Sequence, residues 1–185
     1  KGSVTQKIAA YFTQTLIPMA DLVLDFHSGG STLDFLPFAA CHILDDKEQE
    51  ARCSEAALAF GAPYTVKMLE IDDSGMYDGA AERAGKTFVT TELGGTGAAR
   101  AQTVEIAKRG LRNLLQHVGI LEGEAETHPT QKLDMPDERC FTFAETGGIF
   151  EPLVDLGARL REGQAIAQIW PVDGTGQPPS KLIAG

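Results

Sequence analysis

Two short β-rich runs constrain this chain most: Leu22-Val23-Leu24-Asp25-Phe26-His27, followed by Ser28-Gly29-Gly30, and Phe88-Val89-Thr90-Thr91-Glu92, followed by Leu93-Gly94-Gly95. Each apolar run stops on one ionisable side chain and then breaks into glycine. Ligands in open α/β sheets sit beyond the carboxyl ends of strands. A histidine at one such end and a glutamate at another therefore point to a metal ligand and a general base facing one crevice.

The rest of the chain to residue 119 alternates helix and strand. Ser3 and Gln6 form a capping box ahead of Val4, Ile8, Phe12 and Leu16, so a first helix is expected to stop at Pro18. Phe35 to Leu44 reads as a second strand, placed near an edge or at a bulge by Pro37. Asp45 or Asp46 caps a helix through Phe60, ended by Gly61 and Pro63. Tyr64 to Leu69 is a strand, residues 70–77 an acidic loop, and a helical turn closes at Gly85. A last helix runs from about Arg100 to Val118, with the apolar stripe Val104, Ala107, Leu111, Leu114, Leu115 and Val118. This is the α/β pattern. Past Gly119 a polar linker begins, and no helical period follows. Gly147–Val154 and Gly163–Trp170 read as strands of a small β module. The expected domains are 1–122 and 123–185.

Composition excludes several function classes. A formal net charge of −10 argues against nucleic acid or anionic membrane as partner, since both select clustered Lys and Arg. No apolar run reaches the length of a membrane helix. Cys41, Cys53 and Cys140 lie far apart with no Cys-x-x-Cys pair, which fits a reduced, cytoplasmic setting.

The site candidates each carry an alternative. His27 shares a strand face with Asp25 by the period of two, the arrangement in which a carboxylate orients a metal-bound imidazole. The alternatives are a satisfied polar histidine and an Asp25 bonded to loop amides. Glu92 ends an apolar run, where desolvation is expensive unless the charge is paired or useful. It is a base for a metal-activated water, a strand-end contact with solvent, or a partner of Arg83 or Arg100. Tyr77 and Arg83 are candidates for binding substrate, as a hydroxyl donor and a carboxylate anchor, or are solvated loop residues. Gly94-Gly95-Thr96-Gly97 lacks the ending of a phosphate loop and is better read as a tight turn leaving room beside Glu92. Ser28 is not in a nucleophile elbow. His42, His117 and His128 show no ligand spacing.

Asp25–Gly30, Thr91–Gly95 and Gly147–Pro152 resemble the succinylglutamate desuccinylase/aspartoacylase family of zinc-dependent amidohydrolases, relatives of the zinc carboxypeptidases. Leu33–Ala40 and Gly75–Asp78 are similar to a bacterial branch acting on N-acetyl-diaminobutyrate. The resemblance implies a carboxypeptidase-like mixed sheet flanked by helices, then a lipoyl or barrel-sandwich-like β module. It implies one Zn2+ held by a His-x-x-Glu motif and a later histidine, with His27 matching the latter and Glu92 the catalytic glutamate. No His-x-x-Glu occurs in this sequence. The expectation is thus a fragment, inactive by itself, of a longer enzyme whose motif lies ahead of Lys1. The implied activity is hydrolysis of a small N-acyl amino acid by a homo-oligomer. The rival readings are aspartoacylase or succinylglutamate desuccinylase activity, or a non-catalytic binding module. Val154-Asp155-Leu156-Gly157 carries no lysine, which disfavours covalent carriage.

Overall fold

The computed structural model describes residues 2–69, 75–126, 128–173 and 176–185. It divides into two compact units, Lys1–Met135 and Pro136–Gly185.

The first unit is a mixed five-stranded sheet in the order β1-β4-β2-β3-β5. Its strands are β1 (Leu22–His27), β2 (Phe38–His42), β3 (Tyr64–Met68), β4 (Thr87–Glu92) and β5 (Gln131–Asp134). β1 runs parallel to β4, β2 to β3 and β3 to β5, whereas β4 and β2 are antiparallel. β5 explains why the units part at Met135 rather than near residue 123. Chain expected in the β module returns to pair with β3 in the first sheet.

The helices are α1 (Val4–Tyr11), α2 (Ile17–Met19), α3 (Lys47–Phe60), α4 (Tyr77–Arg83) and α5 (Ala101–His117). Ser3 and Gln6 close the capping box on α1 as expected. The helix does not stop at Pro18. A π-helical turn, Phe12–Leu16, widens the register so that the Ile17 N–H reaches the Phe12 carbonyl, and Pro18 then enters the first positions of α2. There its missing N–H is one that a helix start leaves unbonded. Asp46 caps α3 through the amides of Glu48 and Gln49, and Gly61 ends it at φ 74°. Of the acidic loop expected over 70–77, residues 70–74 lie outside those described, and Tyr77 already belongs to α4.

Two apolar clusters form the core. On one face Phe60, Cys53, Ala56 and Ala57 of α3 meet Ile106 and Leu114 of α5 over Ala39, Cys41 and Val89. On the other, Ile17 and Ala81 pack on Val23 and Phe88, with Tyr77 partly buried against them. Phe60 and Phe88 are fully buried, each worth about 1.5–3 kcal/mol of transfer free energy.

Two expectations fail here. β2 lies in the middle of the sheet, because Pro37 precedes the strand instead of interrupting it. α5 buries Thr103, Ile106, Gly110, Asn113 and Leu114, and Val104, Leu111 and Val118 of the expected stripe are 41–43% exposed. Small and polar residues make the contact: Gly110 admits the Phe60 ring, and Asn113 bonds the Phe60 and Glu126 carbonyls and the Glu126 amide. A count of apolar positions passes over both.

The second unit carries a three-stranded antiparallel sheet, β6 (Ile149–Pro152), β7 (Ala165–Trp170) and β8 (Ser180–Ile183), with β7 central. Ala167 and Ile169 of β7 are its buried apolar residues among those described. Gln168 and Trp170 both donate to the Glu151 carboxylate across the β6–β7 pair. Among the described residues no helix is long and apolar enough to cross a membrane.

Candidate active site

Parallel pairing of β1 with β4 sets the site. The register runs Val23–Phe88, Asp25–Thr90, His27–Glu92, so the two strands end side by side on their ionisable residues. Alternation along each strand puts Asp25, His27, Thr90 and Glu92 on one face. Beneath them on that face lie Val23 and Phe88, packed by Ile17, Ala81 and Tyr77. The site therefore has an apolar floor.

His27 presents its ring to solvent, 60% exposed, with Nδ1 3.2 Å from Oδ2 of Asp25. That contact braces the exposed imidazole from its Nδ1 side. Glu92 is different. Its Oε2 is buried and has no hydrogen-bond partner. Burial pushes its carboxyl above the ordinary glutamate range; the neighbouring His27 opposes this, and the negative Asp25 adds to it. A carboxylate held in this way is a stronger base than a solvated one. It pairs with neither arginine offered by the sequence: Arg100 lies 3.6 Å from Asp34 instead.

Tyr77 opens α4 and meets Phe12 and Phe88 edge-on, with ring centroids 5.5 and 5.9 Å away. Burial and then the charge of Asp25 raise its hydroxyl pKa, so the phenol stands within electrostatic reach of the site. Arg83 does not join it. It ends α4 beside Leu44, Asp45 and Asp46, which follow β2. Because β2 runs antiparallel to β4, that is the end of the sheet away from Glu92. His42, the other strand-end histidine, is buried in a 2.9 Å contact with Glu82.

Sequence reading passed over Thr91. This fully buried residue accepts the His27 N–H at 3.2 Å and donates to the Asp25 carbonyl at 3.3 Å. Its position beside Glu92 in a strand was the available signal.

A catalytic zinc needs three protein ligands and an open position. His27, braced by Asp25, fits one of them. Among the described residues no group of three His, Cys, Asp or Glu side chains could hold a metal ion. Among the described residues, then, the donors near His27 fall short of a complete set, and a buried carboxylate stands beside them.

Known proteins share this arrangement of chain. N-alpha-acetyl-L-2,4-diaminobutyric acid deacetylase of Halomonas elongata is 49% identical over 185 residues, 99% of this chain and 54% of that protein. The product-bound structure of the ectoine utilization protein EutE (DoeB) from Ruegeria pomeroyi superposes with a TM-score of 0.95 at 57% identity, over all of this chain and 56% of that one. A succinylglutamate desuccinylase from Silicibacter sp. TM1040 gives 0.91 at 55%, again over the whole chain and 56% of its own. The chain thus spans about half the length of these relatives. Residues 1–118 match the succinylglutamate desuccinylase/aspartoacylase catalytic domain, and with that match and these identities the chain belongs to the succinylglutamate desuccinylase/aspartoacylase family.

Proposed function

We propose that the whole protein hydrolyses the amide bond of an N-acyl amino acid, with N-acetyl-2,4-diaminobutyrate as the favoured substrate. The observation that carries the reading is the His27–Glu92 register, which sets a braced imidazole next to a desolvated carboxylate. The deacetylase and ectoine utilization relatives support the choice of substrate.

His27 would supply part of a zinc site, and zinc bound there would lend Lewis acidity to the scissile carbonyl and to the attacking water. Asp25 keeps the imidazole in one orientation. Glu92 takes the proton of the attacking water on its orphaned oxygen and returns it to the departing amine. The apolar floor of Val23 and Phe88 gives that carboxylate no competing donor from below. Tyr77, which packs edge-on against Phe88, is the hydroxyl donor to the substrate in this reading.

The test is Glu92→Gln in the whole protein, assayed on N-acetyl-diaminobutyrate, N-acetylaspartate and N-succinylglutamate. Turnover should fall by about 10²–10⁴-fold while zinc content stays. Near-parental turnover would remove Glu92 from the chemistry. A stability readout accompanies it. Burial raises the Glu92 carboxyl, so its contribution to stability is intact below the unfolded pKa and lost as pH rises through the folded one. Glu92→Gln should therefore be the more stable protein at neutral pH, and the difference should close in acid.

A further inference from the structure

We propose that Thr91 is a positioning residue: its buried hydroxyl, together with the crossing of two glycine loops at Gly95 and Leu33, fixes where the His27 imidazole stands against the Glu92 carboxylate. The inference rests on the role given to that pair above. Thr91 belongs to the strand of Glu92, but its side chain grips the strand of His27. The hydroxyl accepts the His27 N–H and donates to the Asp25 carbonyl, the two β1 residues that carry chemistry. A valine of the same shape would fill the space and hold neither.

Beyond the strand ends the two following loops are laced together. Leu93 N–H bonds the His27 carbonyl at 3.0 Å, and Gly29 N–H bonds the Gly94 carbonyl at 3.0 Å. Thr96 N–H bonds the Leu33 carbonyl at 2.9 Å, and Gly97 N–H the Gly30 carbonyl at 2.6 Å. The backbones approach so closely that a Cβ on Gly95 would lie 1.9 Å from the Leu33 oxygen, and one on Gly29 2.6 Å from it. Thr96, β-branched, is held at φ 59°. Such a conformation persists only where the surroundings over-determine it, and it gathers at sites whose geometry matters. One continuous set of bonds thus runs from Asp25 through Thr91, His27 and Leu93 to the loop crossing. A displacement of about 1 Å between reacting groups costs on the order of 10²-fold in rate, so this set is part of the reaction geometry.

Thr91→Val, Thr91→Ser and Gly95→Ala in the whole protein test it, by kcat and KM on N-acetyl-diaminobutyrate and by amide hydrogen exchange at His27, Gly29, Leu93, Thr96 and Gly97. Thr91→Val should lose roughly 10- to 100-fold in kcat with KM within about twofold, and Thr91→Ser, which keeps the hydroxyl, should stay within about threefold of the parent. Gly95→Ala should lose more kcat, together with protection at the loop amides. Parental kcat in Thr91→Val, or an equal loss in Thr91→Ser, overturns the proposal. Should the parent hydrolyse no N-acyl amino acid, the functional reading fails but exchange still decides. Faster exchange at His27 and Leu93 in Thr91→Val upholds the positioning role, and parental exchange there refutes it.

Discussion

Removing the Asp25 carboxylate separates the service to zinc that the proposed function gives it from its service to the fold. Oδ2 of Asp25 stands 3.2 Å from Nδ1 of His27, with side chains 30% and 60% exposed. A contact so open to solvent is worth about 0–1 kcal/mol to stability. A carboxylate behind a metal-bound imidazole is worth more: its loss costs about 10- to 100-fold in metal affinity, or roughly 1.4–2.8 kcal/mol. Asn retains an oxygen that can accept from Nδ1–H and lacks only the charge, whereas Ala lacks both. Asp25→Asn should therefore raise the zinc Kd of the whole protein by about tenfold and Asp25→Ala by up to a hundredfold, measured by competitive calorimetric titration. Urea denaturation of the metal-free variants should show a change below about 1 kcal/mol. The Asp25 charge also helps raise the Glu92 carboxyl. With it gone, the acid limb of the kcat/KM profile, which reports the free-enzyme base, should move to lower pH. An unchanged zinc Kd in Asp25→Ala would refute the argument. A metal-free fold weakened by more than about 2 kcal/mol would refute it too, since the pair would then be structural.

Two further outcomes follow from packing and charge away from the site. Gly110→Ala sets about 1 kcal/mol of helix propensity against roughly 1–3 kcal/mol of overpacking, with the new Cβ 2.2–2.4 Å from the fully buried Phe60 ring; the melting temperature should fall, and one at or above the parent's would show that the ring can retreat. Glu50 accepts from Lys47, the Leu44 amide and Lys67, which hold its carboxyl down at about 2, so its stabilisation is present above the ordinary pKa and is lost as pH falls toward 2. Glu50→Gln should cost roughly 1–2 kcal/mol at pH 7 by chemical denaturation and almost nothing near pH 2; a loss independent of pH would assign it to packing.

The parts of this molecule legible in the sequence are those encoded within a few residues. The Ser3 box, a cap at Asp45 or Asp46, the Gly61 stop and both ionisable strand ends depend on local chemistry, and each was readable. Partners far apart in sequence are set by the sheet. Nothing near Arg83 reveals that β2 turns antiparallel to β4 and carries the neighbourhood of α4's end away from Glu92. Nothing in α5 announces that Phe60 needs Gly110, so a template counting apolar residues selects a face rotated off the buried one. Thr91 was invisible for the same reason, because its value lies in which strand pairs alongside.

The mixed sheet itself explains why one histidine–glutamate pair is left open and the other is closed off. Glu92 lies between His27 on β1 and Phe38 on β2. One neighbour presents an imidazole, and the other offers only an apolar side chain. Had β2 run parallel to β4, strand polarity would have carried its own terminal histidine, His42, to the end of the sheet where Glu92 stands. Reversal sends His42 to the far end, where it meets Glu82 at 2.9 Å with both side chains less than a tenth exposed. That pair satisfies itself and is shut off from solvent. Glu92 instead keeps a buried oxygen without a donor and an imidazole that is exposed and braced from behind. Stability alone would not favour so strained a carboxylate. In the function proposed above, the histidine at the neighbouring strand end gives that carboxylate its use.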